Sequence, residues 1–257
     1  MKLHIFGSCA GTEPMPDYHH TAWAIETQSG IYWFDAGENC SYTAYLMGLD
    51  LLRVNAVFIS HTHMDHIGGL GNLFWNIRKM TTIPPKRQME HDVELFIPNM
   101  TSWDAILALL KNTEGNFAIN FAINAHEVTD GVIYDNGDIR VEALHNLHLG
   151  NAEPWRSFSY RIICEGKTIV FSGDVKSSAD LDPYLADGCD LLMMETGHHD
   201  PDVIARYLTE HNYDVKRLAY IHNGVCIRNT PERAKQLIRD AWDGDFILLH
   251  DKQTLDM

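Results

Sequence analysis

The sequence of 257 residues has few cysteines, few basic residues and no long apolar run, and each shortage narrows the class of protein. Its five cysteines include no C-x-x-C pair, which indicates reduced thiols rather than a disulfide framework. No stretch approaches the roughly 18 apolar residues of a membrane span, and the first predicted strand follows Met1 without a charged leader. We therefore expect a cytoplasmic protein that does not enter the membrane.

Positive charge is scarce, because 20 Lys and Arg stand against 35 Asp and Glu, and the formal net charge at pH 7 is −15. Affinity for nucleic acid depends largely on basic side chains that neutralise phosphates. We therefore expect no binding of extended nucleic acid, whereas a small-molecule ester or phosphodiester substrate is compatible with this charge. Linker-like and low-complexity stretches are also missing, which favours one domain over residues 1–257. The sequence leaves open whether the chain forms a homodimer.

A cluster of metal-ligating residue types stands out in residues 57–66, VFISHTHMDH. His61, His63, Asp65 and His66 follow an apolar run, and imidazole and carboxylate are ligands of zinc, manganese and iron. In an extended chain, alternate side chains point the same way about 6 to 7 Å apart, so His61 and His63 can share one ion. Asp65 and His66 lie where a helix is predicted to begin and point elsewhere. One short peptide can therefore serve two metals.

The pattern H-x-H-x-D-H after an apolar strand resembles the metallo-β-lactamase superfamily, and further segments resemble its ribonuclease Z-like and phosphodiesterase-like branch. Those segments are the turn at residues 6–14, the V-x-A-x-x-x-x-H spacing before His148, the S-G-D ending at Asp174, the strand before His222, and S-F-S-Y-R at residues 157–161. The turn lacks the Lys-Ser or Lys-Thr of a phosphate-binding P-loop. The resemblance implies an α/β fold, namely the four-layer αββα sandwich of that superfamily.

The resemblance also implies a site for two divalent metal ions, with zinc favoured and manganese or iron as alternatives. His61, His63 and His148 would bind the first metal, Asp65, His66 and His222 the second, and Asp174 both. Asp35, which follows an early strand, would orient the histidine motif without binding metal. His145 is the alternative to His148 as the mid-chain ligand.

The implied activity is that of a dinuclear metal hydrolase, in which a metal-bridging hydroxide attacks a phosphodiester or a related small ester. Asp65 and Asp174 are its expected catalytic ligands, and Glu195 with His198 is the expected proton-donating pair, with His199 as an alternative donor. Other functions remain open: a tRNA 3′-processing endoribonuclease of ribonuclease Z type, a lactonase or thioesterase, or a non-catalytic metal-binding domain. The acidic charge and the short segment at residues 111–138, in place of a long basic arm, make tRNA processing the second choice.

Apolar patterning predicts alternating strands and helices, and four of the strands end just before a candidate ligand, as expected for a site at the carboxyl edge of an α/β sheet. The predicted strands are residues 3–6, 21–26, 31–34, 56–60, 94–97, 139–144, 159–164, 168–171, 191–194 and 218–221. The predicted helices are residues 41–49, 67–78, 102–110, 201–208 and 231–241, the last capped by Thr230 with proline in its first turn.

Overall fold

The computed structural model describes residues 1–11 and 15–257 of the chain. Its strands are β1 (Lys2–Gly7), β2 (Ala22–Glu26), β3 (Ile31–Phe34), β4 (Val54–Phe58), β5 (Val93–Ile97), β6 (Ile123–Glu127), β7 (Gly131–Asp135), β8 (Ile139–His145), β9 (Phe158–Cys164), β10 (Lys167–Phe171), β11 (Leu191–Glu195), β12 (Arg217–Ile221), β13 (Asp245–Leu248) and β14 (Thr254–Asp256). Its α-helices are α1 (Cys40–Leu46), α2 (Met64–Ile67), α3 (Leu70–Thr82), α4 (Met100–Lys111), α5 (Asp182–Leu185), α6 (Pro201–Glu210), α7 (Val225–Asn229) and α8 (Pro231–Ala241).

The chain divides into two compact units, each built on one seven-stranded sheet. The described part of unit 1 comprises residues 1–7, 15–128 and 251–257, and that of unit 2 comprises residues 8–11 and 129–250. The single domain predicted for residues 1–257 stays a prediction.

The sheet of unit 1 has the order β14-β1-β2-β3-β4-β5-β6 and is antiparallel from β14 to β3 and parallel from β3 to β6. β3 is buried along its whole length, as expected of a strand covered on both faces. One face packs on helices α1, α3 and α4 through residues such as Trp33, Leu73 and Phe74. This packing fixes the carboxyl ends of β3 and β4, where Asp35 and the histidine motif begin.

The opposite face of the same sheet carries a ladder of stacked aromatic rings across neighbouring strands. Trp23, Phe34, Phe58 and Phe96 are paired in register, with successive ring centroids 4.5, 5.0 and 5.1 Å apart. Cross-strand aromatic pairs of this kind stabilise a sheet beyond the burial of their area. The ladder therefore stabilises the register of the four strands, and this register determines where the residues that follow β3 and β4 lie.

The sheet of unit 2 has the order β13-β12-β11-β10-β9-β8-β7, antiparallel from β7 to β10 and parallel from β10 to β13. Its buried apolar cluster joins β10, β11 and β12 to α6 and α8 through residues such as Val170, Leu192, Leu208 and Ile238. The carboxyl ends of the three parallel strands β10, β11 and β12 lie side by side. Asp174, Glu195 and His222 lie at or just beyond those ends.

The structure confirms the predicted strands and helices with shifted ends and adds the edge strands β6, β7, β13 and β14. Helix 67–78 was predicted as one element, but α2 ends at Ile67 and α3 starts at Leu70. Thr230 is at the amino end of α8, yet its hydroxyl donates to the Cys226 carbonyl and does not cap that helix. The predicted turn at residues 6–14 extends into Thr12, Glu13 and Pro14, which lie outside the described residues.

The five cysteines are free thiols, as predicted, and four of them are buried. Burial raises the pKa of Cys40 to about 12, so this thiol stays protonated and unreactive. None of the helices formed by the described residues has both the length and the apolar composition that crossing a bilayer requires.

Candidate metal centre

Unit 1 gathers the four residues of the histidine motif at the carboxyl end of β4. His61 and His66 are fully buried, and their ring centroids are 4.0 Å apart. His63 stands at the amino end of α2, and the centroid of its ring lies 4.6 Å from that of His61. Asp65 and His66 lie within α2, and Asp65 Oδ2 is 3.5 Å from His66 Nε2. The strand-to-helix change predicted for this peptide is therefore present, and it begins three residues earlier than expected.

Asp35 fixes the orientation of both buried imidazoles. His66 Nδ1–H donates to Asp35 Oδ2 at 2.7 Å, and Ser60 donates to the same carboxylate from its backbone at 2.7 Å and its hydroxyl at 2.8 Å. Ser60 Oγ is 3.1 Å from His61 Nδ1. Because the hydroxyl of Ser60 donates to Asp35, its oxygen accepts the hydrogen bond from His61 Nδ1–H. Both rings therefore keep the proton on Nδ1 and offer Nε2 as the ligand atom, which is the usual arrangement around a metal-binding histidine.

Asp35 adopts a backbone conformation that non-glycine residues rarely use, with φ at 53°. It follows directly on β3, and its backbone N–H donates to the Phe58 carbonyl at 2.8 Å. The turn places its carboxylate within hydrogen-bond distance of Ser60 and His66. Strain of this kind is found at functional sites, where the surrounding structure compensates for it.

Unit 2 gathers a second donor set around the buried carboxylate of Asp174, which is 1% exposed. His222 Nδ1 is 3.4 Å from Asp174 Oδ1, while His148 Nε2 and His198 Nδ1 are 3.7 and 3.8 Å from Oδ2. One carboxylate is therefore surrounded by three imidazoles. The atoms that Asp174, His198 and His222 offer lie within 4.8 Å of one another, which is a spacing that a metal ion can bridge.

His148, and not His145, is the mid-chain histidine near Asp174 in unit 2. His145 is the last residue of β8, where its Nδ1–H donates to Asp130 at 2.6 Å and its ring stacks on Trp155 at 3.9 Å. The buried Asn146 accepts from the backbone N–H of His148 at 3.2 Å and thereby helps to turn the chain toward Asp174. The geometry favours His148 as the ligand, and its role stays a prediction.

Glu195, at the end of β11, pairs with His198. Its Oε1 accepts from His198 Nδ1–H at 3.1 Å and its Oε2 from the His198 backbone N–H at 2.9 Å. Burial alone would raise the pKa of Glu195, but hydrogen bonds from the neighbouring histidines outweigh burial and lower that pKa to about 2. The hydrogen bond to Glu195 in turn raises the pKa of His198. His198 is therefore an imidazolium over a wider pH range than an isolated histidine.

Gly197 is a site residue that sequence reasoning missed, and the reason is visible only in three dimensions. A Cβ at this position would lie 2.5 Å from both Cε1 and Nδ1 of His222. The ring of His222 can thus reach its position beside Asp174 only because residue 197 has no side chain.

We expect Gly197→Ala to displace the His222 ring and to weaken binding of one metal by about 10- to 100-fold, the effect of disturbing a partner that orients a ligand. Titration with zinc in the presence of a competing chelator measures this affinity. Gly71→Ala is the matched control, because its nearest atom is Ile106 Cγ2 at 3.5 Å and alanine is favoured within a helix. Equal zinc affinity in both variants and the parent chain would contradict this role of Gly197.

Comparison with known proteins agrees with this fold. The ribonuclease Z of Treponema denticola is 40% identical over 161 residues, which cover 62% of this chain and 48% of that protein. The short form of human tRNase Z has a TM-score of 0.75 at 19% identity and covers 100% of this chain and 99% of its own. The metallo-β-lactamase fold protein YhfI of Bacillus subtilis has a TM-score of 0.75 at 16% identity, with 99% of both chains covered.

The fold is that of the metallo-β-lactamase superfamily, which confirms the predicted fold class, and the similarity to ribonuclease Z agrees with the predicted resemblance. Within that superfamily, the chain belongs to the family described as anti-Pycsar protein Apyc1, whose sequence model matches residues 1–209. The chain spans about half the length of the curated relatives it matches first.

Proposed function

We propose that residues 1–257 act as one hydrolase domain that uses two divalent metal ions to cleave a phosphodiester or a related small ester. In this proposal, His61, His63 and His148 bind the first ion, Asp65, His66 and His222 bind the second, and Asp174 binds both. The observation that carries the proposal is the buried carboxylate of Asp174 among the imidazoles of His148, His198 and His222.

The chemistry of the donors supports a metal site. A buried carboxylate is costly unless positive charge or several hydrogen bonds compensate it, and a divalent cation supplies such charge. Nitrogen and oxygen donors in this mixture suit zinc, manganese and iron, with zinc favoured. The Nδ1 protons of His61 and His66 are directed at Ser60 and Asp35, so Nε2 of each ring would be the atom that binds a metal.

When bound, two divalent cations acidify water and stabilise the negative charge that develops on the ester oxygens. The protein supplies the remaining requirement, which is a proton for a leaving group of high pKa. His198 is suited to this role because its Nδ1–H is held by Glu195, which leaves Nε2–H to donate. The hydrogen bond to Glu195 raises the pKa of His198, which favours the form of the ring that carries this proton.

A small substrate fits the chain better than a polynucleotide. The net charge of −15 opposes binding of a polyanion. Residues 111–138, where ribonuclease Z carries its long arm, instead contain a short 3-10 helix and the strands β6 and β7, each of which joins a sheet. Processing of tRNA is the second candidate, and the 40% identity to the ribonuclease Z of T. denticola supports it.

The direct test is a parallel assay of purified protein of known metal content. The substrates are bis(4-nitrophenyl) phosphate, 4-nitrophenyl phosphate, a simple lactone and a precursor tRNA. We expect cleavage of the diester that a chelator abolishes and that added zinc or manganese restores. Faster cleavage of precursor tRNA than of the diester would favour the second candidate, and a fully metallated protein without turnover on any substrate would contradict both.

A further inference from the structure

Three buried polar residues of unit 2 form a continuous set of hydrogen bonds that begins at the backbone of the proposed ligand His148. Asn146 Oδ1 accepts from the His148 backbone N–H at 3.2 Å, and Asn146 Nδ2–H donates to Ser159 Oγ at 3.1 Å. The Ser159 hydroxyl donates to the Ser172 carbonyl at 2.6 Å. We call Asn146, Ser159 and Ser172 the polar network.

The donors and acceptors of the polar network fit together in one orientation. The backbone N–H of His148 can only donate, so the amide oxygen of Asn146 faces it and the NH₂ group faces Ser159. At the other end, the Ser172 carbonyl can only accept, so the Ser159 hydroxyl donates to it. The Ser159 oxygen is then the acceptor for Asn146, and both ends of the network are satisfied.

Ser172 extends the polar network to two further segments of the site. Ser172 lies two residues before Asp174, and its hydroxyl donates to the Gly173 carbonyl at 2.6 Å. The same hydroxyl accepts from the Glu195 backbone N–H at 3.0 Å. The network therefore connects the segments that carry His148, Asp174 and Glu195.

The polar network is shielded from water. Asn146 is 2% exposed, Ser159 and Ser172 are 0% exposed, and the neighbouring Tyr160 and Phe171 are buried as well. A buried donor or acceptor that loses its partner keeps the full cost of its desolvation, because no water replaces that partner. A shift of the backbone that broke one of these bonds would therefore be costly.

Ser159 belongs to the S-F-S-Y-R motif at residues 157–161, and the proposed chemistry does not use this motif. Ser159 lies near the start of β9, where it pairs in register with Leu144 of β8. The Ser157 carbonyl accepts from the Asn146 backbone N–H at 3.0 Å. The motif thus closes the base of the loop at residues 146–157, which carries His148.

We propose that Ser159 is a positioning residue of the metal centre, which acts through Asn146 to hold the backbone of His148. The inference rests on the proposed function, in which His148 and Asp174 bind the same ion. His148 Nε2 lies 3.7 Å from Asp174 Oδ2, and this spacing depends on where the backbone of His148 is held. Ser159 contacts neither substrate nor metal in this proposal.

Titration of the full chain with cobalt(II) tests this role, because the visible absorption of bound cobalt depends on the number and geometry of its ligands. We expect Ser159→Ala to weaken cobalt binding by about tenfold, the lower end of the effect of disturbing a partner that orients a ligand, and to change the absorption spectrum. Ser159→Cys fills a similar space with a weaker hydrogen-bonding group and should lie between Ser159→Ala and the parent chain.

Ser41→Ala is the matched control for a general loss of stability. Ser41 is a buried serine in α1 of unit 1, and its Oγ accepts from the Asn76 amide at 2.8 Å, as Ser159 accepts from Asn146. Both alanine variants should lower the urea midpoint of chelator-treated protein, since each loses a buried hydrogen bond. We expect cobalt binding to change in Ser159→Ala and to stay unchanged in Ser41→Ala.

A double variant tests whether Ser159 acts through Asn146. Asn146→Ala removes the amide that joins Ser159 to His148, so adding Ser159→Ala should weaken cobalt binding no further. A loss in the double variant that equals the product of the two single losses would overturn the proposal, as would an unchanged cobalt affinity and spectrum in Ser159→Ala. A parent chain that binds no cobalt would instead contradict the proposed function.

Discussion

Replacing Asp174 with asparagine is expected to reduce bound metal from about two ions per chain to one or fewer and to lower kcat/KM by about 10³-fold or more. Asparagine keeps the size of the side chain but removes the charge that would bridge both ions. Disturbing a residue that only orients a ligand already costs about 10- to 100-fold in affinity or activity, so loss of a shared ligand should cost more. Elemental analysis of the purified variant and its rate on bis(4-nitrophenyl) phosphate measure the two effects.

Asp190→Asn is the matched control for this experiment. Asp190 directly precedes β11, pairs with Lys167 and accepts from the Thr168 backbone N–H at 2.9 Å. The variant removes one carboxylate from unit 2 away from the histidines, so metal content and rate should stay close to those of the parent chain. Two tightly bound metals in Asp174→Asn would contradict the bridging role.

His198→Ala is expected to slow cleavage of a substrate with an alkoxide leaving group by about 10²- to 10⁴-fold, the usual contribution of a general acid. Cleavage of a 4-nitrophenyl ester should slow by less than about tenfold, because nitrophenolate leaves without protonation. We assign the proton donation to His198 because its Nδ1–H is held by a hydrogen bond to Glu195, which leaves Nε2–H for the leaving oxygen. Rates on methyl 4-nitrophenyl and dimethyl esters of phosphoric acid compare the two leaving groups on otherwise similar substrates.

His199→Ala serves as the neighbouring control, since its Nε2–H is already donated to the Val175 carbonyl. A variant that loses the same factor on both esters would show that His198 does not act as a proton donor. That result would point to His198 as a metal ligand, in agreement with its place beside Asp174 and His222.

The central strands could be predicted because they are continuous apolar runs, as expected of strands that are covered on both faces of the sheet. β6 and β7 were missed because their side chains are mostly exposed and they lie at sheet edges, where pairing with a neighbour and not an apolar pattern makes the strand. The break between α2 and α3 was also missed, because it depends on a contact between residues far apart in the sequence. A Cβ on Gly69 would lie 2.2 Å from the Gly37 carbonyl oxygen, and this contact is distant in sequence.

The candidate ligands could be predicted because they follow strand ends, so a one-dimensional pattern is enough to place them at one edge of their sheet. The residues that hold those ligands could not be predicted in the same way. Ser60 forms hydrogen bonds to both Asp35 and His61, and Asn146 accepts a hydrogen bond from the His148 backbone. Gly197 has no side chain to collide with the ring of His222. Each of these roles depends on a contact whose geometry appears only in the folded chain.

Anomalous diffraction from crystals grown with zinc, recorded on both sides of the zinc absorption edge, would locate the bound metal ions and their ligands. We expect two peaks about 3.5 to 4 Å apart, as in two-metal hydrolases. One peak should contact His61 and His63, the other Asp65 and His66, and both should contact Asp174. A single peak held by Asp174, His198 and His222, or no peak near Asp174, would contradict a two-metal site bridged by Asp174.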